Sequence, residues 1–95
     1  MVVIEKIVLW HYDRNLIAGS TDLDQYKKLD EESLELYHSL INGNSPIDDI
    51  GDMCVVLINI AERNGLSLEE CLEHAYADIK DRTGQMIDGI FVKDA

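Results

Sequence analysis

The stretch MCVVLINIA, residues 53–61, sets the tightest condition on any fold for this chain. At helical spacing its apolar side chains point in nearly every direction, and a helix apolar all round must be covered on all sides. The chain has 95 residues, enough for one domain over residues 1–95 with a modest core. Three other short helices from so small a chain can hardly enclose this one. The expectation is an all-α fold with this helix at the centre of a four-helix-bundle-like arrangement. A second subunit would complete it, in a homodimer or homotetramer.

Local signals place the other helices. The first is expected over about Val2–Leu16, where Ile4, Ile7, Val8 and Trp10 to Tyr12 supply apolar surface before AGST breaks the pattern. Ser20 or Thr21 caps a second helix that runs to about Ile41 and stops at NGN, where Gly43 suits a left-handed end. In SPIDD, Ser45 is the expected N-cap and Pro46 the first helical residue of the third helix, which ends before Gly65. SLEE is a capping box, Ser67 with Glu70, opening a fourth helix that reaches about Arg82. Helical period is then lost. MIDGIF, residues 86–91, reads as a small hairpin or an extended arm, a short tail to the helical body.

Composition narrows the function classes. The net charge of −11 repels nucleic-acid backbones and anionic membranes, so no direct nucleic-acid binding is expected. MVVIEKIVLW is broken by Glu5 and Lys6 and has no small-residue cleavage site, and no run is long enough to span a membrane. Cys54 and Cys71 both fall at apolar helical positions and read as reduced, buried small hydrophobes. The expected location is the cytoplasm.

The acidic residues are the chemical signal. On the second helix Leu29, Leu36 and Leu40 lie within about 40° of one another and mark the core-facing line, with Glu32 about 40° from Leu36 and Glu35 on the same side. On the third, Asp49 and Asp52 flank the line of Val56. Each pair is spaced i,i+3, so its side chains stand one above the other. Four carboxylates converging between antiparallel helices cannot all ionise unless something positive joins them. Mg²⁺, with Mn²⁺ as a substitute, suits an all-oxygen ligand set. The plainer alternative is a solvated acidic face plus ordinary N-terminal capping, which is the preferred reading for Asp48 alone. For Glu32, Glu35, Asp49 and Asp52 together, geometry leaves both open.

EESLE at 31–35, followed after thirteen residues by DIGD at 49–52, resembles the E-E-x-x-E … E-x-x-D signature of the MazG-like all-α nucleoside triphosphate pyrophosphohydrolases. RNLIAGSTDLDQYKKLDEESLEL and AYADIKDRTGQMIDGIFVKD are similar to the approach and closing segments of small, stand-alone or phage-type members. Asp49 departs from the family's usual Glu and reaches one methylene less far. The resemblance implies a MazG-type fold and Mg²⁺-dependent hydrolysis between the α- and β-phosphates of a (deoxy)nucleoside triphosphate, serving to clear or rebalance nucleotide pools. Glu32, Glu35, Asp49 and Asp52 would hold the metal, and Glu32 or Glu31 would orient the attacking water. Glu31 points about 100° from Glu32 on the wheel and suits the surface equally well.

Substrate contacts are assigned more loosely. Lys28 lies one turn before Glu32 on its face, and Lys80 and Arg82 in DIKDR are candidate phosphate ligands, with complementation of a helix C-terminus as their alternative. Asn59 contacts sugar or base, or satisfies a buried partner. Trp10, with His11 and Tyr12, offers a stacking surface, or core. Two rivals stand beside the enzyme: a non-catalytic acidic helical module that binds a basic protein, and a di-iron carboxylate bundle suggested by Glu35 and His38 in ELYH.

Overall fold

The structure, a computed structural model describing residues 1–95, has four helices followed by a two-stranded hairpin. These are α1 (Val3–Asp13), α2 (Asp22–Ile41), α3 (Ile47–Arg63), α4 (Leu68–Ile79), β1 (Gly84–Ile87) and β2 (Ile90–Lys93). The fold is therefore mainly α. Of the two forms expected for the tail it takes the hairpin, antiparallel and pairing Met86 with Phe91 and Ile87 with Ile90. Asp88 and Gly89 turn it with φ of 50° and 82°, the left-handed pair that matches the strands' twist in a two-residue turn. No helix is long and apolar enough to cross a membrane.

Three helices end in the same way. The amide of Leu16 donates to the His11 carbonyl and that of Asn15 to Tyr12; Asn44 donates to Ser39 and Gly43 to Leu40; Leu66 donates to Ala61 and Gly65 to Glu62. Each is the paired 6→1 and 5→2 closure around one left-handed residue, here Asn15, Gly43 and Gly65. Asn15 stops α1 at Asp13, three residues short of the expected Leu16. The starts also follow local chemistry. Thr21 Oγ1 accepts from the Asp24 amide and Ser67 Oγ from the Glu70 amide, both at 3.1 Å. At α3 the expectation is one residue early: Pro46 is the N-cap and Ile47 the first helical residue, while Ser45 Oγ accepts from Ile47 at 3.4 Å. α4 ends at Ile79 rather than Arg82.

α3 is the hub. α1, α2 and α4 each pack on it, none packs on another, and the hairpin packs on no helix. Its Val56, Ile58 and Ala61 are the only buried apolar residues of the chain. Its first turn is open, with Ile47 and Ile50 exposed, and Leu57 in the middle of the apolar run is exposed as well, so the run is not covered on all sides as its sequence led one to expect. Cys71 is exposed and Cys54 half-buried; burial of both was expected, but α4 has no buried residue at all.

A polar network ties α1 and its loop to α3. The buried ring of His11 meets the Val55 carbonyl through Nε2 at 2.9 Å and Asn59 Nδ2 through Nδ1 at 3.2 Å. A carbonyl only accepts, so Nε2 carries the proton and Nδ1 accepts from the amide. Asn59 Nδ2 donates again to the Leu16 carbonyl at 3.0 Å. Arg63 clamps the next loop, donating to the Ile17 and Ser20 carbonyls and pairing with Asp22 at 3.0 Å.

Candidate metal centre

The packing of α2 on α3 brings three of the four predicted ligands together. Glu32 and Glu35 from α2 and Asp52 from α3 each offer an oxygen, and these oxygens all lie within 4.8 Å of one another. Glu32 is buried, 6% exposed, while Glu35 and Asp52 open to solvent. No histidine joins the three, and His38 stays on the exposed side of α2. Asp49 is outside the trio, although its charge reaches Glu35. The reason is geometric: i,i+3 spacing puts two side chains on one face, but the angle between helices decides which turn of α3 comes level with Glu32, and that turn carries Asp52.

The electrostatics are those of crowded anions. Glu35 has its carboxyl held above the ordinary 4.5, first by a hydrogen bond with Glu32, then by the Glu32 charge, desolvation and the Asp49 charge, with Lys28 opposing. With the Glu35 carboxyl ionised, the second oxygen of Glu32, Oε2, is buried and has no partner. Its first, Oε1, pairs with Lys28 Nζ at 3.1 Å. Lys28 is in turn held protonated above 10.5, chiefly by Glu32. Glu31 is mostly exposed and reaches only Lys28, at 3.5 Å, so it lies on the rim of the cluster.

The remaining candidates divide. Trp10 borders an open cavity of about 400 Å³ that it shares with Asp52, Val55, Ile7 and Lys6. This puts an aromatic edge and a basic side chain beside one of the three clustered acids. Lys6 was not singled out from sequence, because nothing in a lone lysine on an amphipathic helix marks it. The guanidinium of Arg14 covers one face of the indole at 4.4 Å, a cation–π contact. Asn59 is fully buried and bonded to Leu16 and His11, so its amide serves the core and is not presented to the cavity. His11 is buried with it and offers no stacking face. Lys80 and Arg82 follow α4, are exposed, and pair with none of these carboxylates.

No family model matches the chain, and no solved structure matches it. Over 64 residues it is 38% identical to an uncharacterized 18.2 kDa protein of the rep-hol intergenic region of Haemophilus phage HP1. The match takes in 65% of this chain and 39% of the phage protein, so this chain corresponds to about two-fifths of that relative.

Proposed function

We propose that the chain is a MazG-like nucleoside triphosphate pyrophosphohydrolase that acts as a homo-oligomer, a dimer or tetramer, in the cytoplasm. The observation that carries the reading is Glu32 Oε2: a buried carboxylate oxygen without a partner, beside two further carboxylates. A buried carboxylate oxygen left without a hydrogen bond is costly even when the other oxygen is paired, and a divalent cation would satisfy it together with Glu35 and Asp52. The donor set fits Mg²⁺, or Mn²⁺ in its place: all ligands are oxygens, and three leave positions for water and phosphate. Bound there, the ion supplies charge neutralisation and polarisation of phosphate oxygens.

The protein groups do the rest. Glu32, the buried carboxylate, orients a water for in-line attack on the α-phosphorus and takes its proton. The new bond joins the water oxygen to the α-phosphorus, the bridge to the β-phosphorus breaks, and pyrophosphate leaves with the bridging oxygen. Lys28 holds Glu32 in place and is the cation nearest the leaving charge. The cavity between Trp10 and Asp52 accommodates the nucleoside, with Lys6 at its edge; Asp49 sits one turn from Asp52 and tunes the charge of the cluster. The role is control of (deoxy)nucleotide pools.

Incubation with a panel of nucleoside triphosphates and Mg²⁺ tests the reading. Monophosphate and pyrophosphate are expected from the native chain, with loss of at least about a hundredfold in rate for Asp52→Ala, the scale of a missing electrostatic element. Release of diphosphate and orthophosphate, or equal turnover by the variant, would overturn it.

A further inference from the structure

We infer that α4 and the hairpin form a self-complementary patch through which two copies of this chain associate, the hairpin of each copy covering α4 of the other. This rests on the self-association proposed above and names its surface. Folded single chains of this mass expose about 5,500 Å², whereas this one exposes 7,231 Å². The excess, about 1,700 Å², is roughly twice the 800 Å² that each partner contributes to a standard interface. The radius of gyration, 15.8 Å, likewise exceeds the roughly 12 Å of a compact domain this long.

Exposed large apolar residues occur on every helix, but no helix carries them as densely as the hairpin, where Met86, Ile87, Ile90, Phe91 and Val92 are five of the eight strand residues. Met86 and Phe91 lie on one face of the hairpin, Ile87 and Ile90 on the other, and all four are exposed. A ribbon apolar on both faces needs cover on both, and a lone two-stranded hairpin is marginal in water. No helix of its own chain provides that cover. α4 is the helix without a single buried residue, and its Leu72, Tyr76 and Ile79 fall on one line.

Charge selects a second copy as the occupant. Residues 80–95 hold three basic and three acidic side chains, so the whole charge of −11 resides on residues 1–79. Two such bodies repel each other broadside, whereas a neutral apolar arm approaches without that penalty. An isologous contact then uses the same patch twice and closes at two copies.

Sedimentation equilibrium of the full chain, then of Ile90→Ser/Phe91→Ser, provides the test, with helicity by circular dichroism as the folding control. The native chain is expected at two or four times 10.8 kDa. The variant is expected to keep its helices, since the hairpin touches none, and to dissociate with a constant about a hundredfold higher. Isotope-filtered nuclear Overhauser spectra of mixed labelled and unlabelled native copies should join Phe91 and Ile90 to Leu72 and Ile79 between molecules; these decide the matter should the variant unfold. A native chain at 10.8 kDa overturns both this inference and the proposed self-association. An oligomer of unchanged affinity in the variant, without intermolecular contacts from the hairpin, overturns the arm alone.

Discussion

Replacing Asn59 by Leu separates a core role from a substrate role at one position. The side chain is wholly buried, and its amide donates to the Leu16 carbonyl and to His11 Nδ1. Leucine keeps the branching and heavy-atom count of asparagine, is bulkier, and removes both donors. One buried and one half-buried acceptor then lack partners, each at up to about 1–3 kcal/mol. Against this stands Asn59 Oδ1, which has no partner in the native chain and whose removal recovers part of the loss. The net expectation is a destabilisation of about 2–4 kcal/mol, a large share of the roughly 5–15 kcal/mol that holds a domain together. The thermal midpoint should fall by at least about 8 °C, given about 4–8 °C per kcal/mol at this size. Scanning calorimetry at fixed protein concentration measures it, because any self-association makes the midpoint depend on that concentration. The His11→Ala and double variants should reveal a coupling of about 0.5–3 kcal/mol, as for other residues in one network. A variant within about 0.5 kcal/mol of native would refute the network as a structural element and return Asn59 to the candidate substrate contacts.

Two further outcomes concern the acidic trio. For a site of about millimolar affinity, a tenfold excess of Mg²⁺ stabilises the native chain by about 1.4 kcal/mol, a rise of about 6–11 °C; Glu32→Gln should abolish the rise, and an unchanged rise would remove Glu32 from the ligand set. Glu35 gives a pH dependence. Its carboxyl is held above 4.5 in the fold, so between 4.5 and the raised value the native state binds more protons than the unfolded one, and stability falls as pH rises through that window. Midpoints measured against pH without metal should show this slope in the native chain and lose it in Glu35→Gln; parallel profiles would contradict the assigned crowding.

Features written in short range were legible from sequence. Thr21 and Ser67 cap as their neighbours require, Gly43 and Gly65 take the left-handed ends, and Asp88-Gly89 makes the hairpin turn. Asn15 was missed because a non-glycine residue at positive φ carries only a weak local signal. The hub position of α3 followed from its apolar circumference. Cys71 misled because apolar spacing tells which face a residue takes, and not whether another element covers that face. At the site, the i,i+3 ladders marked Glu32 and Glu35 on one helix and Asp52 on the next. Choosing Asp52 over Asp49 needs the angle between α2 and α3, which no periodicity contains. The His11–Asn59 bond joins residues 48 apart in sequence and exists only after α1 packs on α3. Trp10 and Lys6 meet Asp52 for the same reason.

In the proposed function Glu32, Glu35 and Asp52 share one divalent cation. Substoichiometric Mn²⁺ added to the ¹⁵N-labelled chain measures this directly, since the paramagnetic ion broadens the amides nearest to it. Broadening should be strongest around residues 32–35 of α2 and 49–53 of α3, and excess Mg²⁺ should reverse it. Broadening spread evenly over the acidic surface, or centred on another group of carboxylates, would contradict the account.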